Sequence, residues 1–314
     1  MKLLTFKIFL FVLCLYIPLY FIQKVVDKGL RKYRNGEFSV WNDIYDRKVN
    51  ADLLILGNSR ALAHISPAIL DSGLHLSSYN LGIDGADFNL TYTRFRVYMN
   101  TNKIPKAIIL SLSAKDLEKG KGIFDPPQFM PFLSDTVILR GTSGYQNSFG
   151  MYDLYVPAMK YRTRPEFLKI GFLLYLNKSV EMDAPRFRGY EGRERKWDNS
   201  FSDFVKSKKR FHPKLEKYIK KEFEDVVSIC REKGIKLYFV YSPEYIKVQK
   251  YFVNRDEVFS YFRQVSGINN IPFLDYSNDP ISHDTAYFYN SEHLNRTGAE
   301  MFTRKLAADI KRLN

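Results

Sequence analysis

Cysteine is scarce: Cys14 and Cys230 are the only two among 314 residues, which excludes a disulfide scaffold and any Cys-based zinc module. Cys14 lies in an apolar run and Cys230 in a helical pattern, so no internal bridge is expected. Histidine is almost as sparse, at positions 64, 75, 212, 283 and 293. His64, Asp71 and His75 lack compact ligand spacing, so neither a metal nor any other cofactor is expected. No P-loop and no G-x-G-x-x-G follows a strand pattern, which disfavours kinases and nucleotide enzymes. There is no zinc-finger spacing, aromatic RNA-binding signature or helix-turn-helix, so nucleic acid is not an expected partner. No repeat of 20–50 residues is visible, and solenoids are excluded.

What is present is an ordinary globular balance of 45% apolar and 26% charged residues, with 16% aromatics and a formal net charge of +14. Residues 1–34 carry seven basic side chains against Asp27 alone, and the remaining chain holds +8. From Leu3 to Ile22 the chain is apolar except for Lys7. At about 1.5 Å per residue, such a helix spans a hydrocarbon core of about 30 Å. Pro18 is tolerated in a membrane span, and Tyr16 and Tyr20 stand toward one end as interfacial aromatics do. A cleaved signal peptide is the alternative, but the apolar stretch is long and Gln23-Lys24-Val25-Val26-Asp27 offers no small-x-small cleavage site. Residues 1–22 are therefore read as a signal anchor, and 23–50 as a stalk and linker. The excess of basic residues after the span would by itself leave the body in the cytoplasm.

Beyond the stalk, short strand-like runs end in polar or glycine-bearing turns, the first of them continuously apolar as in a strand buried on both faces. They are Asp52–Leu56 before Gly57, Leu76–Leu81 before Gly82, Ala107–Leu112, Ile235–Tyr241 and Pro272–Asp275. Helical patterns fall between them. Residues 213–233 align Ile219, Phe223, Val226 and Cys230 on one face and stop at Gly234. A terminal helix begins at Thr297, with Glu300 completing a capping box. The alternation predicts an α/β protein with a parallel sheet of about five strands covered by helices on both sides. Residues 117–211 interrupt it as a large, mostly helical insertion. Its basic run, Arg186, Arg188, Arg193, Arg195 and Lys196, is read as a solvated face, with an anion-gripping surface as the alternative.

Gly57-Asn58-Ser59-Arg60 follows the first buried run and opens a helical pattern. This puts a hydroxyl at the carboxyl end of a parallel strand, where α/β proteins bind ligands, although a plain N-cap would leave the same trace. His293 stands in the polar stretch Asn290–Gly298 just before the terminal helix, away from any apolar face. A neutral imidazole is the usual base for a serine nucleophile.

Together these elements resemble the SGNH (GDSL-like) hydrolases, especially a membrane-anchored branch that handles acyl groups on cell-envelope polymers. Gly57-Asn58-Ser59-Arg60 is similar to the family's first block, Asn80-Leu-Gly-Ile-Asp-Gly-Ala86 to its second, and Glu292-His293-Leu294-Asn295 with Gly298 to its last. The likeness covers roughly residues 50–115 and 235–314. It implies a flavodoxin-like three-layer fold over 51–314, with Ser59 as nucleophile and His293 as base. The oxyanion would rest on the N–H groups of Ser59 and Gly85 (Gly82 being the lesser choice), and Asn58 and Arg60 would line the substrate site. Two positions depart from the pattern. Ser113 or Lys115 stands where the third-block asparagine would supply an oxyanion donor, and Lys115 is the expected substitute. Asn290 stands where an aspartate would orient the histidine; its amide oxygen can hold the histidine N–H, and of Glu292 and Asp284, Asp284 is the expected source of the missing carboxylate.

The resemblance further implies a serine esterase or O-acyltransferase acting on acyl esters of an envelope polysaccharide. Its expected setting is beside a membrane-bound O-acyltransferase, single-pass in the cytoplasmic membrane with the body on the outer side. Long domains translocate largely regardless of flanking charge, which reconciles that side with the basic stalk. A non-catalytic polysaccharide-binding or scaffolding protein on the same fold is the alternative.

Overall fold

A computed structural model describes residues 1–183 and 185–313. They form two compact units: Met1–Asp43 with Lys121–Pro185, and Ile44–Gly120 with Arg186–Asn314.

The second unit is the α/β body. Its sheet is built from β1 (Leu53–Leu56), β2 (Ser78–Asn80), β3 (Ala107–Leu112), β4 (Lys236–Tyr241) and β5 (Phe273–Asp275), all parallel. Their order is β2-β1-β3-β4-β5, the flavodoxin-like winding. Leu53 and Leu56 of β1 register with Ala107 and Leu110 of β3, and β1 and β3 are buried on both faces, as their unbroken apolar runs require. One side of the sheet carries a core of Leu53, Ile55, Ile109, Val240, Phe302 and Leu306. The chain order reverses beside β1, so the carboxyl ends of β1 and β3 flank the crevice where such folds bind ligands.

Local differences from the sequence reading have identifiable causes. The run 76–81 pairs only over Ser78–Asn80. The terminal helix is Arg296–Arg312, capped by Asn295, whose side chain accepts from the N–H of Gly298 at 3.0 Å, so Thr297 and Glu300 lie inside it. The helix Lys217–Glu232 does end at Gly234, which has a φ of +67°. A two-stranded antiparallel pair, β6 (Phe288–Asn290) with β7 (His293–Leu294), replaces the expected polar loop before the terminal helix.

The stretch expected as one insertion, 117–211, divides. Residues 121–185 belong with the N-terminal helix, whereas 186–211 lie on the body. The basic run is a solvated face only in part, at Arg188, Arg195 and Lys196, which are exposed. Arg186 and Arg193 keep only 8% and 13% of their side-chain surface exposed, and both pair with Glu191. Acidic partners folded beneath these cations are what the linear charge pattern could not show.

In the first unit the helix Lys2–Leu30 is long and apolar enough to cross a membrane, and its apolar stretch, residues 3–22, is exposed. It extends well past Ile22 into the expected stalk. There Val26, Gly29 and Leu30 are buried against the helix Glu166–Tyr175. A Cβ at Gly29 would stand on the carbonyl oxygen of Gly171, and one at Gly171 would lie 2.6 Å from the carbonyl oxygen of Val26. The two helices therefore cross backbone against backbone, as small residues permit. Tyr33, Phe38, Met130 and Tyr161 complete this unit's core.

Candidate active site

β1 ends at Gly57, whose φ is +146° and whose missing side chain admits β3: a Cβ there would lie 2.7 Å from the carbonyl oxygen of Ser111. The chain then turns into the helix Ser59–His64, with Asn58 as N-cap accepting from the N–H of Arg60 at 2.9 Å. The other end of the Asn58 amide donates to Ser113 Oγ at 3.1 Å and to Asp116 Oδ1 at 3.0 Å. Asp116 also accepts from the Ser113 N–H at 2.6 Å, and burial pushes its carboxyl up to about 6. The turn is thus tied to the end of β3 by a closed polar network.

Arg60 points inward. It donates to Ser242 Oγ at 3.2 Å and to Glu244 Oε2 at 3.2 Å, with its guanidinium 4.4 Å from the centre of the Tyr241 ring. Tyr241 in turn donates to Glu244 Oε1 at 2.9 Å. Arg60 and Glu244 are both almost fully buried, so this is an internal ion pair. Arg60 therefore does not line a substrate surface but holds the Ser59 turn from within, while half-buried Asn58 holds that turn through its amide.

Ser59 Oγ lies 2.8 Å from His293 Nε2, although the two are 234 residues apart. His293 Nδ1 lies 3.0 Å from Asn290 Oδ1. The same oxygen accepts from the N–H groups of Glu292 at 3.0 Å and His293 at 2.9 Å. Those two donors fix which end of the amide faces the ring, so Nδ1 must carry the proton and Nε2 is left as the acceptor for the Ser59 hydroxyl. Burial depresses the His293 pKa to about 4; Glu292 opposes the shift, while Arg60 and Arg193 add to it. At neutral pH the ring is therefore a free base.

The ring is held on both sides. Tyr289 stacks on it with centroids 5.3 Å apart and planes within 8°, and His64 meets it nearly perpendicular at 6.0 Å. His64 Nε2 accepts from the N–H of Leu294 at 3.0 Å and Nδ1 lies 2.8 Å from Ser242 Oγ, so His64 pins β7 while staying neutral through its burial. Arg193 joins the Tyr289 hydroxyl at 2.8 Å to the Asp84 carboxylate at 2.5 Å, bracing the base against the turn that contains Gly85.

The expected site residues divide accordingly. Ser59, His293 and Asn290 come together. Asp284 does not join them: it is exposed and caps a short turn by accepting from the Ala286 N–H at 2.9 Å. Lys115 is not poised as an oxyanion donor either. Its ammonium pairs with Glu292 at 2.6 Å and sits 4.1 Å from the centre of the Phe211 ring. Burial would raise the Glu292 pKa, but Lys115, His293 and Arg60 together hold it below the ordinary value. Gly82 spends its N–H on Asn80 Oδ1 at 2.8 Å, which removes it as an oxyanion donor. Gly85 sits in an exposed turn with a φ of +62°, and among the described residues neither its N–H nor that of Ser59 is hydrogen-bonded. Arg193, Tyr289, His64 and Asp116 were not anticipated as part of the site. Asp116 lies in the stretch already marked by Ser113 and Lys115, whereas nothing local to Arg193 or Tyr289 distinguishes them. No group of His, Cys, Asp or Glu among the described residues could hold a metal ion.

No family model matches the chain and no curated protein is significantly similar to it. Among solved structures, it is similar to a GDSL-like lipase from Bacteroides thetaiotaomicron, with a TM-score of 0.41, 9% identity, and coverage of 86% of this chain and 98% of that one. An acetyl xylan esterase gives a TM-score of 0.40 at 11% identity, covering 83% and 98%, and the M. smegmatis aryl esterase 0.37 at 11%, covering 83% and 99%. The fold rests on the strand order and register above, and the chemistry on the contacts of Ser59 and His293.

Proposed function

We propose that the protein is a membrane-anchored serine esterase or O-acyltransferase that works through a Ser59 acyl-enzyme. The observation that carries this reading is the Ser59–His293–Asn290 relay, with contacts of 2.8 and 3.0 Å and a base kept neutral by burial. His293 Nε2 takes the hydroxyl proton as Ser59 Oγ attacks an ester carbonyl. The tetrahedral oxyanion turns toward the open N–H groups of Ser59 and Gly85. Collapse breaks the ester C–O bond, and the departing alcohol takes the proton from Nε2. Water or an acceptor hydroxyl then attacks the acyl-enzyme, again giving its proton to His293, and Ser59 is regenerated. Asn290 supplies orientation and tautomer but no negative charge for the imidazolium.

The substrate class we infer is an acyl ester on an envelope polysaccharide. The exposed apolar helix at the N-terminus and the net basic body suit a site facing an anionic polymer at a membrane. Absence of a carboxylate at 290 favours a second reading, a polymer-binding protein on the same fold. A fluorophosphonate probe on the full chain separates the two. Labelling that disappears in Ser59→Ala and His293→Ala is the expected result; a folded wild type that is not labelled overturns the enzymatic reading.

A further inference from the structure

In the first unit, the chain on the far side of the N-terminal helix runs beside it from within the apolar stretch outward. The Tyr16 hydroxyl donates to the carbonyl oxygen of Tyr155 at 3.0 Å, Gln23 Oε1 accepts from the N–H of Ala158 at 2.7 Å, and the Lys160 ammonium pairs with Asp27 at 2.8 Å. Residues 155–160 therefore climb alongside 16–27, and the crossing at Gly29 and Gly171 fixes the same unit higher up. Tyr16 is six residues inside the last apolar residue, Ile22, which is about 9 Å along a helix. The short helix Met151–Tyr155 is thus held at a depth that is hydrocarbon if the N-terminal helix spans a bilayer.

Its surface fits that depth. Met151, Tyr152, Tyr155 and Val156 are exposed by 40–72% of their surface, with no exposed charge among residues 151–156. The acidic residue of this turn, Asp153, is buried and is paired with Arg162. Above it, Lys24 lies over the Tyr20 ring at 5.3 Å, and Lys28 and Lys32 lie over the Tyr175 ring at 5.9 and 6.0 Å. Three cations at four-residue spacing follow the end of the apolar run, the height at which lipid phosphates stand. Interfacial helices that lie flat dip about 5–10 Å below the headgroup boundary, matching the offset of Tyr16.

From this juxtaposition we propose that residues 151–156 form a second membrane contact, immersed in the leaflet in which the N-terminal helix emerges, with lipid as the occupant. The proposal rests on reading the N-terminal helix as a span. One consequence is that the protein is seated on the bilayer through two separate segments, so that residues 121–185 cannot swing freely about the anchor.

The test uses the full chain with Cys14→Ser, reconstituted in nanodiscs containing anionic phospholipid and spin-labelled singly at Leu10→Cys, Tyr152→Cys or Val156→Cys. Collision with oxygen, which partitions into lipid, is compared with collision with a water-soluble nickel chelate. The expected result is a preference for oxygen at all three positions. Oxygen preference at Leu10 with nickel preference at both 152 and 156 overturns the immersion while leaving the span intact. Nickel preference at Leu10 as well overturns the span and, with it, the proposal. Circular dichroism of each labelled variant checks that folding is retained.

Discussion

Ser59 and His293 meet at 2.8 Å but are brought there by different means. The serine is placed by backbone: a fully buried strand, a glycine that lets β1 run against β3, and a cap that starts the helix within two residues. Of its supporting groups, Ser113, Asp116, Arg60 and Glu244 are buried and Asn58 is half-buried, and all are hydrogen-bonded. The histidine sits on a two-residue strand and is placed by side chains from distant segments: Asn290 behind it, Tyr289 on its face, His64 at its edge and Arg193 bracing Tyr289. The nucleophile's position is therefore part of the fold's stability, whereas the base's position is adjustable without disturbing the sheet. That difference also locates the unusual residue of the site, Asn290, on the adjustable side.

The contrast can be broken most strongly at Asn290. Restoring the anion with Asn290→Asp should raise kcat, by less than the about four decades that the reverse change costs in a serine protease, because the tautomer lost there is already held here. An aspartate opposes the depression of the His293 pKa, so the acid limb of the pH profile, expected near pH 4 in the native chain, should move upward. Initial rates on an aryl acetate across pH measure both; an unchanged rate would mean that charge behind the base is immaterial here. On the serine side, Arg60→Met should lower stability by at most about 3–5 kcal/mol, since buried Glu244 loses its nearer cation and keeps only Arg255 at 3.6 Å. Urea unfolding reads this, and Ser59→Ala should leave the midpoint unmoved.

A smaller effect is expected from Lys115→Met. Because the ammonium is engaged with Glu292, turnover should fall less than about tenfold. A loss of about two to three decades would instead show that Lys115 reaches the oxyanion. The least effect on rate is expected from Arg193→Met: a few-fold loss as Tyr289 loosens, accompanied by an upward shift of the acid limb because a cation that depresses the His293 pKa is gone. A loss of rate with the limb unmoved would assign Arg193 to stability alone. The contribution of His64 and His293 to stability should decline as pH falls below about 6.5, since the unfolded chain then binds protons that the buried neutral rings do not, and Asp116 and Glu222, whose carboxyls burial raises to about 6 and 7, oppose that decline.

Much of this arrangement was readable in the linear chain because it is local. Short apolar runs such as Leu53–Leu56 and Ala107–Leu112, bounded by turn residues, fit strands covered on both faces, and Gly57-Asn58-Ser59 after the first of them marks a strand-to-helix turn. The pairing of Ser59 with His293 could be expected because each stands in a short, recognisable context. The fates of Lys115, Arg60 and the basic run could not, since a charge in sequence does not disclose its partner. Glu292, Glu244 and Glu191 lie between 2 and 184 residues from the cations they bind.

By itself, then, the sequence determined the parallel sheet with its alternating helices and the apolar N-terminal helix, since period and burial follow from which residues can leave water. Tertiary structure alone decided which cations are spent inside the body, that Asn290 rather than Asp284 stands behind the base, and that residues 121–185 fold onto the N-terminal helix. Those outcomes depend on pairings between segments far apart in the chain, and the energy of a pair belongs to neither residue until both are in place.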